Sequence, residues 1–390
     1  ARGFEADLIA WRRHLHQHPE LSGEEAATAA FVAEQLQNLG LRPVTGYAGT
    51  HAVTALIEGA AAGPCVALRA DMDALPIQEL NQHAYCSSRP GVMHACGHDA
   101  HTTMLLGAAR LLMARRQNLA GSIRLIFQPA EERSDGDGAE ALVRAGILAY
   151  PPVAAIFALH VFPELPAGTL GTRSGPILAS ADRFLVTLYG RGAHAARPHQ
   201  GIDPILMAAQ AVSALHHLVS RRIDPLSPAV LTIGWIRGGA TENVIPEKVC
   251  FGGTVRTLDP DLREQIPGWI RQTLDGIAAA HGGRAELEYE LGSAPVVNEA
   301  GATAFSFKVL DQLLGPDQVV RLPEPSMGGE DFGAYLEQVP GCFIRIGTRP
   351  PAQQSAPSLH SPHFDIDESI LALGSAALAA LATEQLTVNS

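Results

Sequence analysis

The sequence predicts an α/β fold: a mostly parallel-sheet domain with helices on both faces, carrying a smaller inserted ferredoxin-like α+β domain. Three observations predict it. Apolar strands alternate with helical segments from the start to about residue 181. Between 182 and 294 the order changes to β-α-β-β-α-β. After about residue 295 the strand–helix alternation resumes and runs to the end. Alternation of this kind implies βαβ units and a sheet covered on both faces, and the inner order is that of a unit able to fold compactly by itself. The expected division is therefore 1–181 plus 295–390 for the first domain and 182–294 for the second.

In chain order, residues 5–16 and 24–39 read as helices, with Gly40 as a stop signal. "AVTALIEG" (52–59) and "CVALRAD" (65–71) read as strands, and "TTMLLGAARLLMAR" (102–115) as a buried helix. "SIRLIFQPA" (122–130) is a strand ended by Pro129, "GAEALVRAGIL" (138–148) a helix, and "VAAIFALHV" (153–161) a further strand. In the insertion, 183–190, 229–239, 248–258 and 284–292 read as strands. Residues 203–222 and 261–282 read as helices, the second with a bend or restart at Pro267. No internal repeat or low-complexity tract is visible.

The chain has 390 residues, 46 % apolar and 17 % charged, with a net charge of −12. A packed globular protein of two domains is expected. The negative charge and the lack of Lys/Arg-rich runs argue against nucleic acid or an anionic membrane as partner. No apolar run reads as long enough to span a bilayer, and no signal-peptide pattern opens the sequence. The five cysteines (Cys65, Cys86, Cys96, Cys250, Cys342) are odd in number and irregularly spaced. That is unlike a disulfide framework and points to a reducing compartment, with the cytoplasm expected.

Chemistry concentrates in five segments. "MHACGHDAHTTM" (93–104) carries Cys96, His98, Asp99 and two further histidines. Cys96 and His98 share a face only on extended or turned backbone, which Gly97 permits. Asp99 is then expected to cap the following helix. The alternative is a buried cysteine among ordinary histidines. "RADMDALP" (69–76) ends a strand with Asp71 and Asp73, in a position where an Asp-initiated turn is also common. "QPAEER" (128–133) offers Glu131 and Glu132 on a turn, one able to hold a metal and the other to move protons, against the alternative of a charged loop. His160 in "ALHVF" and His360 in "SLHSPHF" are each, taken alone, more often hydrogen-bonded structural residues.

The combination carries the argument. Loops after the strands of one parallel sheet converge at one edge, and these supply thiolate, imidazole and carboxylate together. Such ligands suit Zn, Mn, Fe, Co or Ni better than Mg or Ca. Five or more ligands exceed one tetrahedral site and favour two metals sharing a bridge. No P-loop, dinucleotide glycine fingerprint, G-x-S-x-G elbow, H-E-x-x-H or zinc-deaminase signature is present.

Taken in order, "WRRHLHQHPELSGEE" (11–25), "RADMDALPIQE" (69–79), "MHACGHDAHT" (93–102), "QPAEE" (128–132), "ALHVFP" (158–163), "GRGAHAARPHQGIDPI" (190–205), "NVIPE" (243–247), "MGGEDF" (327–332) and "LHSPHFDIDE" (359–368) resemble the M20 family of metallopeptidases and amidohydrolases. The subgroup they resemble is that of the N-acyl-amino-acid and hippurate amidohydrolases. The resemblance implies a catalytic domain holding two divalent metals and a lid domain, here 182–294, that also makes the contact of a homodimer or tetramer. By matching positions, Cys96, His98, Glu132, His160 and His360 are the implied metal ligands, Glu131 the implied general acid/base, and Asp73 the residue orienting a ligand histidine. In the wider family the position of Cys96 is usually a bridging aspartate, and cysteine marks the amidohydrolases. The position of Asp71 is usually a histidine ligand. His363 stands where an aromatic residue is usual and competes with His360.

On the lid, the resemblance implies that His194 reaches the partner subunit's site, to stabilise an oxyanion or bind the substrate carboxylate. Asn243 is implied to contribute similarly. Arg345, Arg197 and His199 are further candidates for carboxylate recognition. The implied activity is hydrolysis of N-acyl amino acids (N-acetyl, N-benzoyl or similar), an aminoacylase-type reaction on a small-molecule substrate. A dipeptidase or carboxypeptidase of the same chemistry is the alternative. A two-metal phosphoesterase and an inactive metal- or ligand-binding protein are more distant ones.

Overall fold

In the computed structural model, residues 1–133, 136, 138–350 and 353–388 are described. They divide into two compact units. Unit 1 comprises 1–177, 297–324 and 331–390; unit 2 comprises 178–296 and 325–330.

Unit 1 opens with the helices α1 (Glu5–Gln17) and α2 (Ala26–Asn38). The strands β1 (Val44–Tyr47), β2 (Ala52–Glu58) and β3 (Ala61–Asp71) follow, then α3 (His98–Arg115), β4 (Ala120–Gln128), α4 (Ala139–Arg144), β5 (Val153–Pro166) and β6 (Leu170–Thr172). β7 (Gly175–Leu178) leads into unit 2. That unit holds β8 (Ala181–Tyr189), β9 (Ala193–His194), α5 (Pro204–Arg222), β10 (Ala229–Gly238), β11 (Val244–Ile245), β12 (Lys248–Thr257), α6 (Pro260–His281) and β13 (Arg284–Ser293). β14 (Val296–Asn298) leads back, and α7 (Ala300–Leu314), β15 (Val319–Arg321), α8 (Gly333–Leu336), β16 (Gly341–Arg349) and α9 (Ile370–Val388) complete unit 1.

The unit 1 sheet has the order β1-β2-β4-β3-β5-β16-β6-β15. Its centre, β4-β3-β5-β16, is parallel throughout, so the carboxyl ends of β3, β4 and β5 lie along one edge. These strands are near-continuously apolar because both sheet faces are covered. Of the 18 residues of α3, 13 are buried, the 12 from His98 to Ala109 and Leu112, so a helix of low amphipathicity is stable here only inside the core. α3 and α9 pack together and against β3. Gly107 of α3 faces Ser375, and Gly374 of α9 faces Met104, with no room for a Cβ at either glycine. α9 corrects the expectation that no run is long enough to span a bilayer. By length and composition it qualifies, but 61 % of the qualifying window is buried within the protein. All five cysteines are free.

Unit 2 carries the antiparallel sheet β10-β12-β8-β13, and α5 and α6 bury Met207, Leu215, Ile266 and Ile270 against it. Both helices start on an Asp-Pro pair. Asp203 accepts hydrogen bonds from the Ile205 and Leu206 N–H groups, and Asp259 from those of Asp261 and Leu262. The bend or restart expected at Pro267 does not end α6. The helix continues through it, supported by the buried stripe Leu262, Ile266, Ile270 and Leu274.

Candidate metal centre

The site forms at the carboxyl edge of β3, β4 and β5. After β3 the chain runs to Cys96-Gly97-His98, where Gly97 adopts φ +82° and α3 begins at His98. A left-handed residue is favoured here only if it lacks a Cβ. An added Cβ would also meet Val161 Cγ2 at 2.5 Å. The helix thus starts four residues earlier than the sequence reading placed it. Asp99 lies in its first turn rather than at the N-cap, and its Oδ1 accepts the Ala100 N–H (2.9 Å). It is instead buried, accepting from Arg12 Nε (2.9 Å) and paired with His16 Nδ1 (2.7 Å). Two strong donors plus the helix dipole hold a carboxylate there better than a cap position would.

Asp73 ties two loops together. Its Oδ1 lies 3.1 Å from His98 Nδ1, and its Oδ2 accepts from the Ser22 hydroxyl (2.6 Å) and the Glu132 N–H (3.0 Å). A carboxylate can only accept, so His98 carries its proton on Nδ1 and turns Nε2 inward. That Nε2 is buried with no hydrogen-bond partner among the described residues, 3.8 Å from Glu131 Oε2 and 3.9 Å from Glu132 Oε1. His160 is fixed in the same sense. Its Nδ1 donates to the Val161 carbonyl (2.7 Å), leaving Nε2 3.6 Å from Cys96 Sγ. His160 lies within β5, which continues to Pro166.

The Glu131–Glu132 turn follows Ala130, a non-glycine residue at φ +56°. The Ala130 N–H is held by the buried Glu25 carboxylate at 2.9 Å. Such strain persists where surrounding structure determines it. His360 is a second positive-φ residue, at +65°. Its N–H donates to the Ala95 carbonyl (2.8 Å), and its Nε2 reaches 3.3 Å from Glu132 Oε1. His363 is exposed to solvent.

The ligand atoms of Cys96, His98 and His160, of Cys96, Glu132 and His360, and of His98, Glu131 and Glu132 all lie within 4.8 Å of one another in each group. The electrostatics are those of a cluster short of positive charge. Burial works against a charged His98, yet Asp71, Asp73 and Glu132 raise its pKa to about 10. Burial, then Glu132, Glu131 and Asp71, push the Cys96 thiol well up. Burial and the neighbouring His101 hold His160 well below the ordinary range, as a neutral ring. Among the described residues His98 Nε2 and Glu132 Oε1 are orphaned, and with the Cys96 sulfur and His160 Nε2 beside them the N, S and O donor set fits a divalent transition-type cation.

Asp71 is committed elsewhere. It accepts from Arg69 Nη1 (2.5 Å) and His101 Nδ1 (2.6 Å). His101 in turn accepts the Val161 N–H at Nε2 (2.8 Å). This relay fixes the backbone next to His160, so both nitrogens of His101 are used. His94 is buried, with neither ring nitrogen hydrogen-bonded to any described residue. Arg345 is buried in β16, in register with His160 of β5, with its guanidinium 4.1 Å from the centre of the Phe162 ring. Burial lowers its pKa to about 10, against the opposing charge of Glu164.

His194 and Asn243 belong to unit 2. His194 is in β9, in register with Val244 of β11, and the Ala195 N–H donates to the Asn243 carbonyl at 3.0 Å. The exposed His194 ring accepts the Ala196 N–H at Nδ1 (3.1 Å). Unit 1 thus brings together Cys96, His98, Glu131, Glu132, His160, His360 and Asp73, and unit 2 brings together His194 and Asn243. The supporting roles of Ser22, Glu25 and the Asp71–His101 relay were not legible. Ser22 and Glu25 fall within "PELSGEE", but no spacing there points to a site 50 to 110 residues away.

The model of the peptidase family M20/M25/M40 matches residues 67–384. The chain is 44 % identical over 370 residues to the N-acetyl-L-cysteine deacetylase of Bacillus subtilis, covering 94 % of this chain and 85 % of that protein. It is 47 % identical over 292 residues to the N-acyl-L-amino acid amidohydrolase of Geobacillus stearothermophilus, covering 75 % and 78 %. Among solved structures it is similar to the Bacillus subtilis YxeP protein, described as a dinuclear metal binding peptidase from the M20 family, with a TM-score of 0.86, 37 % identity and 99 % of each chain covered.

Proposed function

The chain belongs to the peptidase family M20/M25/M40, and from that membership we propose that it is a dinuclear metal amidohydrolase. It cleaves the amide bond of N-acyl amino acids to a carboxylic acid and a free amino acid. Relatives named for N-acyl amino acid and N-acetylcysteine hydrolysis, at 44–47 % identity, support this substrate class. The observation that carries the chemistry is the cluster of converging ligand atoms around Cys96, in which His98 Nε2 and Glu132 Oε1 have no hydrogen-bond partner among the described residues, with Glu131 beside it.

Cys96, His98, Glu132, His160 and His360 would hold two divalent ions, of the Zn, Mn, Ni, Co or Fe class that the donor set suits. Bound there, the ions supply Lewis acidity that polarises an amide carbonyl and lowers the pKa of water. Glu131 takes the proton of the attacking water and delivers it to the amine nitrogen as the C–N bond breaks and the new C–O bond forms. Asp73 holds His98 in the tautomer that offers Nε2. His194 and Asn243 stabilise the oxyanion or bind the substrate carboxylate, and Arg345 is a further carboxylate-recognising residue. Assembly through unit 2 into a dimer or tetramer, and a cytoplasmic location, belong to the same reading.

The test is Glu131→Gln, which keeps volume and removes the base. Turnover of N-acetyl amino acids falls by at least about 100-fold, with metal content per subunit unchanged by elemental analysis. Near-normal turnover refutes the assignment. A panel of N-acetyl, N-benzoyl and longer N-acyl amino acids beside dipeptides and longer peptides separates this reading from a dipeptidase or carboxypeptidase.

A further inference from the structure

A second set of metal-ligating side chains lies in unit 1 and shares no residue with the cluster around Cys96. His16 Nε2, Glu79 Oε1 and His83 Nε2 all lie within 4.8 Å of one another. We propose that His16, Glu79 and His83 form a separate structural site for a zinc-class divalent cation, with Asp365 as fourth ligand.

The geometry carries this. A tetrahedral ion with bonds of about 2.0–2.1 Å sets neighbouring ligand atoms about 3.3 Å apart. His16 Nε2 and Glu79 Oε1 are 3.2 Å apart, His83 Nε2 and Glu79 Oε1 3.5 Å, and His83 Nε2 and Asp365 Oδ2 3.8 Å. Both rings are held to present Nε2. His16 Nδ1 is bonded to the buried Asp99 carboxylate at 2.7 Å, the carboxylate–histidine arrangement that orients metal ligands. Cys86 Sγ donates to the Asn81 carbonyl (3.2 Å) and lies 3.4 Å from His83 Nδ1, so the His83 proton on Nδ1 faces sulfur. His83 Nε2 is then an inward-facing buried atom with no hydrogen-bond partner among the described residues. Glu79 is likewise supported from outside, with Asn81 Nδ2 on Oε1 (3.1 Å) and the Ser87 N–H on Oε2 (2.6 Å).

Charge points the same way. The carboxylates of Glu79, Asp99, Asp365 and Glu368 surround this region against the guanidinium groups of Arg12 and Arg13. The Tyr85 hydroxyl, 3.3 Å from Asp365 Oδ2, adds no cation. A divalent ion that replaces a proton on His16 completes the balance. Two imidazoles favour the zinc class over Ca or Mg.

The site joins three distant segments: α1, the loop around residues 79–83, and the segment after His360. That loop is already bonded to the same segment, through Leu80 N–H to the Pro362 carbonyl (2.9 Å) and Asn81 Nδ2 to the Phe364 carbonyl (3.0 Å). A bound ion there clamps the backbone that positions His360.

The experiment compares metal-stripped full-length protein with His83→Leu, each reloaded to saturation with Zn²⁺ and separately with Co²⁺. The expected result is one ion fewer per subunit in His83→Leu by elemental analysis. The Co²⁺ absorption lost should be that of an N/O-ligated site, without the thiolate charge-transfer band. Zn²⁺ should raise the thermal midpoint less in the variant than in the parent. Glu79→Gln serves as second variant if His83→Leu does not fold, with the same loss expected. Equal ion counts in the parent and a folded variant overturn the proposal. Because the reading is a difference, it is independent of how many ions the Cys96 cluster holds.

Discussion

Replacing Asp73 by Asn tests whether one carboxylate organises both ligand loops. The side chain keeps its volume but loses an acceptor. In the parent, one oxygen faces His98 Nδ1 at 3.1 Å, and the other takes the Ser22 hydroxyl at 2.6 Å and the Glu132 N–H at 3.0 Å. If the Asn oxygen faces His98, its NH₂ faces the Glu132 N–H. The Ser22 hydroxyl can turn to accept, but the backbone N–H cannot. A buried donor without a partner costs about 1–3 kcal/mol, and losing the charge on the His98 contact about 1 kcal/mol more. If the amide is reversed, His98 meets a donor at Nδ1 and gives up the proton there, keeping one on Nε2, the atom needed as ligand. Either way, the metal-free protein is destabilised by roughly 2–4 kcal/mol, and affinity for the His98-bound ion falls about 10–100-fold. Urea denaturation of the stripped protein and competition against a chelating dye measure the two effects. A variant with unfolding free energy within about 0.5 kcal/mol of the parent and unchanged affinity refutes the reasoning.

Two further outcomes are expected. Gly97→Ala forces a Cβ onto a residue at φ +82° and to within 2.5 Å of Val161 Cγ2. It should cost roughly 1–3 kcal/mol and weaken metal binding, because Cys96 and His98 flank it; unchanged affinity in a dye competition would contradict the turn's role. The Glu79 site concerns pH. Burial disfavours its charge, but His16 and the Ser87 N–H outweigh that and lower its pKa to about 2 from 4.5. Its folded pKa is therefore depressed, so its stabilisation is fully present above about pH 4.5 and is lost as pH falls toward 2. In Glu79→Gln, metal-free protein should lose up to about 1.4 kcal/mol per pH unit from the slope of stability in that window. Parallel slopes for parent and variant in urea melts between pH 5 and 3 would exclude it.

The sequence by itself determined the fold class and the chemistry on offer. Short, near-continuous apolar runs alternating with helices define an α/β sheet because hydrophobic patterning is local. The Asp-Pro starts of α5 and α6 follow from the same local rules. Glu131, Glu132 and His160 could be named because they sit at or near predicted strand ends, which parallel strands bring to one edge, and Cys96 and His98 because they flank a glycine just before a predicted helix. The tertiary structure decided what depends on distant partners. It committed Asp71 to Arg69 and His101, and drew Asp99 out of a capping role into a buried pair with Arg12 and His16. It brought His360 rather than His363 to Glu132, through a positive-φ turn bonded to the Ala95 carbonyl. It also turned His98, His160, His16 and His83 to present Nε2. A tautomer is set by whichever acceptor lies across the ring, and those acceptors are contributed by neighbouring strands and loops that no local pattern specifies.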